Sequence, residues 1–146
     1  MIWFNNDGTL DLTRRPRWGN GAIYLIVPQP DGKFLLSGAA TSWEGVPKPN
    51  ALFRVHADGS LDTSFTAGIS WGECQAITVL EDGRLLATGL FKTEFTTPDT
   101  LHCVRMFADG SLDPTFNNDL VIRNEQFGQF LFLRHTFIPG VGIALH

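Results

Sequence analysis

Apolar and polar positions alternate in blocks along this chain, and the blocks are punctuated by Asp-Gly dipeptides. The stretch "AIYLIVPQPDGKFLLSG" places two apolar runs around Asp31-Gly32, a dipeptide whose tolerance of positive φ suits a hairpin turn. Near-continuous apolar character over residues 23–27, and again over 76–80, predicts strands buried on both faces between stacked sheets. After a loop of about a dozen residues, "ALFRV" and "CVRMF" read as a third strand. Asp58-Gly59 or Asp109-Gly110 then turns the chain into "SLDTSF" or "SLDPTF", a fourth strand. Pro114 has no N–H to give to a ladder, which puts that fourth strand at a sheet edge. The predicted unit is a four-stranded antiparallel sheet.

The unit is repeated. A shift of 51 residues lays Asp31, Gly32, Leu35, Gly38 and Arg54 on Asp82, Gly83, Leu86, Gly89 and Arg105 without a gap. It also lays "ADGSLD" at 57–62 on "ADGSLD" at 108–113, and Phe65 on Phe116. One period earlier stands "DGTLD", with Asp7 and Gly8 in the places of Asp58 and Gly59. Four-stranded units of about 50 residues point to the blades of a β-propeller, which pack face to face.

The pattern "PDGKFLLSG" followed by "FRVHADGSLDTSF" resembles the delta-60 repeat family, bacterial β-propeller repeats found mainly in large secreted or surface-attached proteins. The resemblance covers residues 1 to about 118. It implies an all-β propeller fold and an extracellular or cell-surface setting, and it brings no catalytic residues with it. The expected organisation is a single β-repeat domain over 1–146: the end of a blade at 1–21, a full blade at 22–72, a second at 73–123, and a divergent start of a third at 124–146. Divergence shows at Leu133 and Arg134, which stand where the next Asp-Gly is due, although "NEQFGQFLFLRH" can still form an opening strand. That makes a partial propeller of about 2.5 to 3 blades, fewer than the four a closed ring needs. Its expected partners are neighbouring blades of a longer chain or other copies of itself. A β-trefoil-like lectin is the rival architecture, and the incomplete first and third units weigh against it.

Composition removes several functions. A net charge of −4 with 18% charged residues lacks the basic surplus that phosphate backbones demand, so nucleic acid is not an expected partner. No window reaches 18 uninterrupted apolar residues, so no membrane span is expected, and the opening "MIWFNNDG" does not read as a secretory signal. Cys74 and Cys103 lack metal-ligand spacing. Across three antiparallel strands they would lie roughly 9 to 10 Å apart, beyond disulfide reach, which predicts free thiols.

The acidic turns have calcium-like oxygen donors but no closing bidentate Glu in "DGSLDTSFTAGI". A folding role is the better reading: Asp7, Asp31, Asp58, Asp82 and Asp109, each followed by glycine (Gly8, Gly32, Gly59, Gly83, Gly110), set turns. Asp62 and Asp113 accept hydrogen bonds from nearby backbone or from Arg54 and Arg105. "GNGAIYL" lacks the Lys and helix of a phosphate loop, and His56, His102, His135 and His146 fall at unrelated phases of the repeat. No cofactor, metal or enzymatic activity is expected.

Residues that do not recur are where a specific function is to be sought. Strand order sends "TSWEGVPKPN", "KTEFTTPDT", "RRPRWGN" and "AGISWGEC" to the rim opposite the Asp-Gly turns. Trp18, Trp43, Trp71 and Phe95, with Glu44, Glu73 and Glu94, form a candidate ligand surface there, apolar platforms beside hydrogen-bond acceptors that would suit a glycan. The alternative is that these aromatics cover blade ends. The expectation is a non-enzymatic propeller segment, a structural or recognition module of a larger bacterial extracellular protein, with a carbohydrate-binding module as the second possibility.

Overall fold

A computed structural model describes residues 1–47, 51–94, 96, 100–118, 135–138 and 142–145. In chain order the strands are β1 (Ile23–Pro28), β2 (Phe34–Gly38), β3 (Ser42–Trp43), β4 (Val46–Pro47), β5 (Leu52–Val55), β6 (Trp71–Val79), β7 (Leu85–Lys92), β8 (Leu101–Met106), β9 (His135–Ile138) and β10 (Gly142–Leu145). The described residues contain no helix long and apolar enough to cross a membrane.

Each predicted Asp-Gly turn closes in the same way. Asp31 Oδ1 accepts the Lys33 N–H at 3.1 Å, and Asp82 Oδ1 accepts that of Arg84 at 3.0 Å. Gly32 and Gly83 both sit at φ 82, where a side chain would be strained. These turns join β1 to β2 and β6 to β7. Two antiparallel sheets result, ordered β1-β2-β5 and β6-β7-β8. Their registers are copies: Leu36 faces Ile26 and Phe53, while Ala87, one period later, faces Ile77 and Val104. Even the irregularity repeats, since both inner strands bulge where Ile23/Leu25 and Cys74/Ala76 shift register. Opposite each bulge stands a glycine, Gly38 or Gly89, whose added Cβ would lie 2.2 Å from a backbone carbonyl, that of Ala22 or Glu73.

The two blades bury their faces against one another. Leu25, Val27, Leu35 and Leu52 of the first meet Ile77, Val79, Leu85, Ala87, Val104 and Met106 of the second in one apolar core. Ser37, fully buried there, accepts the Cys74 N–H at 2.9 Å and donates to the Ala51 carbonyl at 3.1 Å, tying the sheets across the core. Cys74 and Cys103 are both buried and are not joined in a disulfide.

Three local expectations need correction. The fourth strand contracts to a single bridge in each unit: Phe4 with Leu10, Val55 with Leu61, and Met106 with Leu112. Directly after that bridge Asp62 and Asp113 each close a turn with Ser64 and Thr115, drawing the backbone away from the sheet. Secondly, β1 is not buried on both faces. It alternates, with Tyr24 62% and Ile26 48% exposed, because among the described residues no complete blade lies against that side of the inner strand. Thirdly, the loop after β2 does not extend the far rim. Its β3–β4 hairpin lies back over the first sheet, where Trp43 packs with Leu36, Phe53 and Val55 and donates its indole N–H to the Gly59 carbonyl at 2.8 Å. The opening strand expected in "NEQFGQFLFLRH" lies outside the described residues but for His135. Beyond it β9 and β10 pair as an antiparallel hairpin.

Candidate functional site

Among the described residues, polar side chains gather in a clasp built once in each of the two blades. Asp62 is 3% exposed and Asp113 0%. Asp62 Oδ2 accepts Arg54 Nε at 2.8 Å and Lys33 Nζ at 2.9 Å, while Oδ1 accepts the Ser64 hydroxyl and N–H at 2.6 and 3.0 Å. Asp113 repeats this with Arg105 Nε at 2.8 Å, Arg84 Nη1 at 2.9 Å, and the Thr115 hydroxyl and N–H at 2.6 and 2.9 Å. Each Arg also lies over a ring, Arg54 over Phe65 and Arg105 over Phe116, both 4.8 Å from the centroid. Burial pushes the Asp62 carboxyl up, but Ser64, Lys33 and Arg54 together hold it well below the usual carboxylate range. For Asp113 the Thr115 hydroxyl is the largest influence, and with the Thr115 N–H, Arg84 and Arg105 it outweighs the opposing effect of desolvation, so this carboxyl too is held well below the usual range.

The expected pairing of Asp62 with Arg54 and of Asp113 with Arg105 is present. Lys33 and Arg84 are additional partners that the sequence reading passed over. The signal was available, since the 51-residue shift lays Lys33 on Arg84 as well as Asp62 on Asp113. The turn role of the other aspartates holds too: Asp7, Asp58 and Asp109 accept from Thr9, Ser60 and Ser111 through both hydroxyl and N–H.

A clasp also reaches forward. Arg54 Nη1 donates to the Ala108 carbonyl at 2.8 Å, in the outer turn of the next blade, where Thr66 N and Gly68 N donate to Asp109 O and Gly110 O. At the joint before it Trp3, in phase with Arg54, packs on Gly59, where an added Cβ would come within 2.6 Å of its ring. Arg17 supplies the polar part. It bonds Glu44 at 3.0 Å, Asp58 Oδ2 at 2.9 Å and the Asp58 carbonyl at 3.1 Å. Arg17 has no counterpart in the repeat, since glycine stands 51 residues later, so nothing periodic marked it.

The predicted ligand surface is dispersed by the structure. Trp43 is 1% exposed and belongs to the core, so it offers no platform. Glu44 sits at φ 53 beside Gly45 at φ 79, the two left-handed positions of a two-residue hairpin turn. Its carboxylate is held by Arg15, Arg17 and the Trp18 N–H rather than presented outward. Trp18 and Trp71 remain 60% and 50% exposed, and Arg15 lies 5.7 Å from the centre of the Trp18 ring. Glu73 is half-buried on β6, Glu94 is exposed near Thr96, and Phe95 lies outside the described residues. A shallow cleft of about 140 Å³ does occur, but it lies on the first half blade, lined by Ile2, Trp3, Leu10, Leu12, Arg14 and Pro16 among others, and includes none of the predicted ligand residues.

No curated protein and no solved structure matches the chain. A family model does, over residues 29–65 and 80–116, two segments that run from one inner Asp-Gly turn to the phenylalanine of the clasp in each blade and together make up half of the sequence. With the same sheet built twice, packed face to face and clasped in phase, the chain belongs to the β-propeller family described as a domain of unknown function, DUF5122.

Proposed function

We propose that the chain is a non-enzymatic segment of a propeller, a structural or recognition module within a larger bacterial extracellular protein of the delta-60 repeat kind. The observation that carries this reading is where the recurring charged groups are spent. Asp62, Arg54 and Lys33, and their copies Asp113, Arg105 and Arg84, are bound to one another in clasps that hold turns, and Arg54 also grips the next blade. Catalysis by carboxylates requires the opposite arrangement, an acid or base facing open space with its pKa set for proton transfer. The test is turnover of chromogenic glycosides, esters and phosphoesters by the purified chain. None is expected, and activity that disappears in Glu44→Gln or Glu94→Gln would overturn the reading.

A carbohydrate-binding role is the second reading, and one observation favours it: Trp18 and Trp71 keep half or more of their surface in solvent. Stacking of a sugar ring on either would perturb tryptophan emission and be lost in Trp18→Ala or Trp71→Ala. A glycan array without a single hit, together with unchanged emission, removes it.

A further inference from the structure

The segment that precedes the first sheet carries a further copy of the clasp, with its side chains rearranged on an unchanged backbone. Asp11 N donates to the Trp3 carbonyl at 2.9 Å, as Asp62 N does to that of Arg54 and Asp113 N to that of Arg105, each at 2.9 Å. The bridge beside it recurs as Phe4 with Leu10. The turn after it recurs too, since Asp11 Oδ1 accepts the hydroxyl and N–H of Thr13, which stands in the phase of Ser64 and Thr115. On that shared frame the 51-residue shift lays Trp3 on Arg54 and Arg105, and Arg14 on Phe65 and Phe116. The arginine and the aromatic ring have changed places.

Their contacts survive the swap. Arg14 Nε faces Asp11 Oδ2 at 3.4 Å, the same atom pair that Arg54 makes with Asp62, and Arg105 with Asp113, at 2.8 Å. The Arg14 guanidinium lies 5.7 Å from the centre of the Trp3 ring, within reach of a cation–π contact, against 4.8 Å in the two later copies. In all three copies one carboxylate has one arginine, and that arginine has one ring, whichever position supplies which. An indole in the place of Arg54 lacks the guanidinium that reaches the next turn, and Arg17 supplies one instead, its Nε donating to the Asp58 carbonyl at 3.1 Å. In the second joint Gly68 stands in the place of Arg17, where even a Cβ would come within 2.6 Å of Leu112, and the guanidinium comes from residue 54.

We propose that the arginine and the ring of the clasp are one linked pair that works in either order, so that Trp3 and Arg14 hold Asp11 as Arg54 and Phe65 hold Asp62. Neither position then accepts the later blades' residue unless the other changes with it. Trp3→Arg alone sets two guanidinium groups at Asp11 and no ring. Arg14→Phe alone sets two rings beside a carboxylate and no arginine. The two substitutions together rebuild the order of the later blades.

Amide hydrogen exchange of the 146-residue chain reads this locally, at the N–H groups of Asn5 and Asp11, which bond the carbonyls of Thr9 and Trp3. Trp3→Arg and Arg14→Phe are each expected to speed that exchange roughly 3- to 10-fold. The double variant is expected to exchange more slowly than either single variant, the non-additivity of a coupled pair. Amides of β7 should keep their rates in all three, since the second sheet lies apart from this clasp. A double variant as fast as either single one, or faster, overturns the proposal, and so do single variants indistinguishable from the unsubstituted chain. Where a single substitution unfolds the whole chain, circular dichroism puts the same question: a double variant that regains the β-sheet signal supports the linked pair, and one that stays unfolded overturns it.

Discussion

At the scale of single residues, Asp62 ranks first in consequence. It is the shared acceptor of Arg54 and Lys33, and removing it leaves a guanidinium that is almost fully buried without its carboxylate. Breaking one side of a buried charge pair is costly. Asp62→Ala is expected to lower unfolding free energy by about 2–3 kcal/mol. Lys33→Met should cost less than about 1 kcal/mol, since its ammonium keeps access to water and Arg54 still serves the carboxylate. Urea unfolding of both variants measures the contrast, and equal effects would show that the clasp is not centred on Asp62. Acid sensitivity follows from the same carboxyls. Asp62 and Asp113 are depressed in the folded chain, so their stabilisation is complete above the unfolded carboxylate value of about 3.9 and is lost as the pH falls through the folded ones. The urea midpoint should therefore be little affected by these groups from pH 8 to 5 and fall steeply below about pH 4, with a shallower fall in Asp62→Ala.

Elements show what a one-dimensional pattern can and cannot hold. Strands β1, β2 and β5, and their copies β6, β7 and β8, were legible because each is bounded by an Asp-Gly turn whose chemistry is local, complete within three residues. The fourth strand was misjudged for a physical reason equally local but competing: the hydroxyls of Ser64 and Thr115 capture the aspartate just past the bridge and divert the chain. Trp43 was misplaced because its partner, the carbonyl of Gly59, is brought near only by the return of the β3–β4 hairpin across the sheet, a contact between residues 16 apart that no period encodes. The repeated glycine at 38 and 89 was read as pattern, and its cause is the bulge opposite. Gly89→Ala would push a methyl into the Glu73 carbonyl and is expected to cost about 2–3 kcal/mol in thermal or urea unfolding, with Gly38→Ala similar. Near-neutral values would mean the bulge relaxes.

At the scale of the whole molecule, the two three-stranded sheets share one interior. Leu85 is fully buried in the core that both blades line, so Leu85→Ala is expected to remove about 2–5 kcal/mol. Hydrogen exchange checks whether that loss is shared: amides of β2 in the first blade and β7 in the second should lose protection together. Faster exchange confined to β7 would show that the blades open independently.

Because Arg54 grips the turn of the unit that follows it, and Trp3 fills the same place one unit earlier, both joints among the described residues are made between the same position of one repeat and the outer turn of the next. Tandem duplication or loss of one 51-residue segment therefore keeps each surviving joint between the same two repeat positions. Blade number in such a lineage is free to drift by recombination, while point changes at residue 54 or at its receiving turn are held in check.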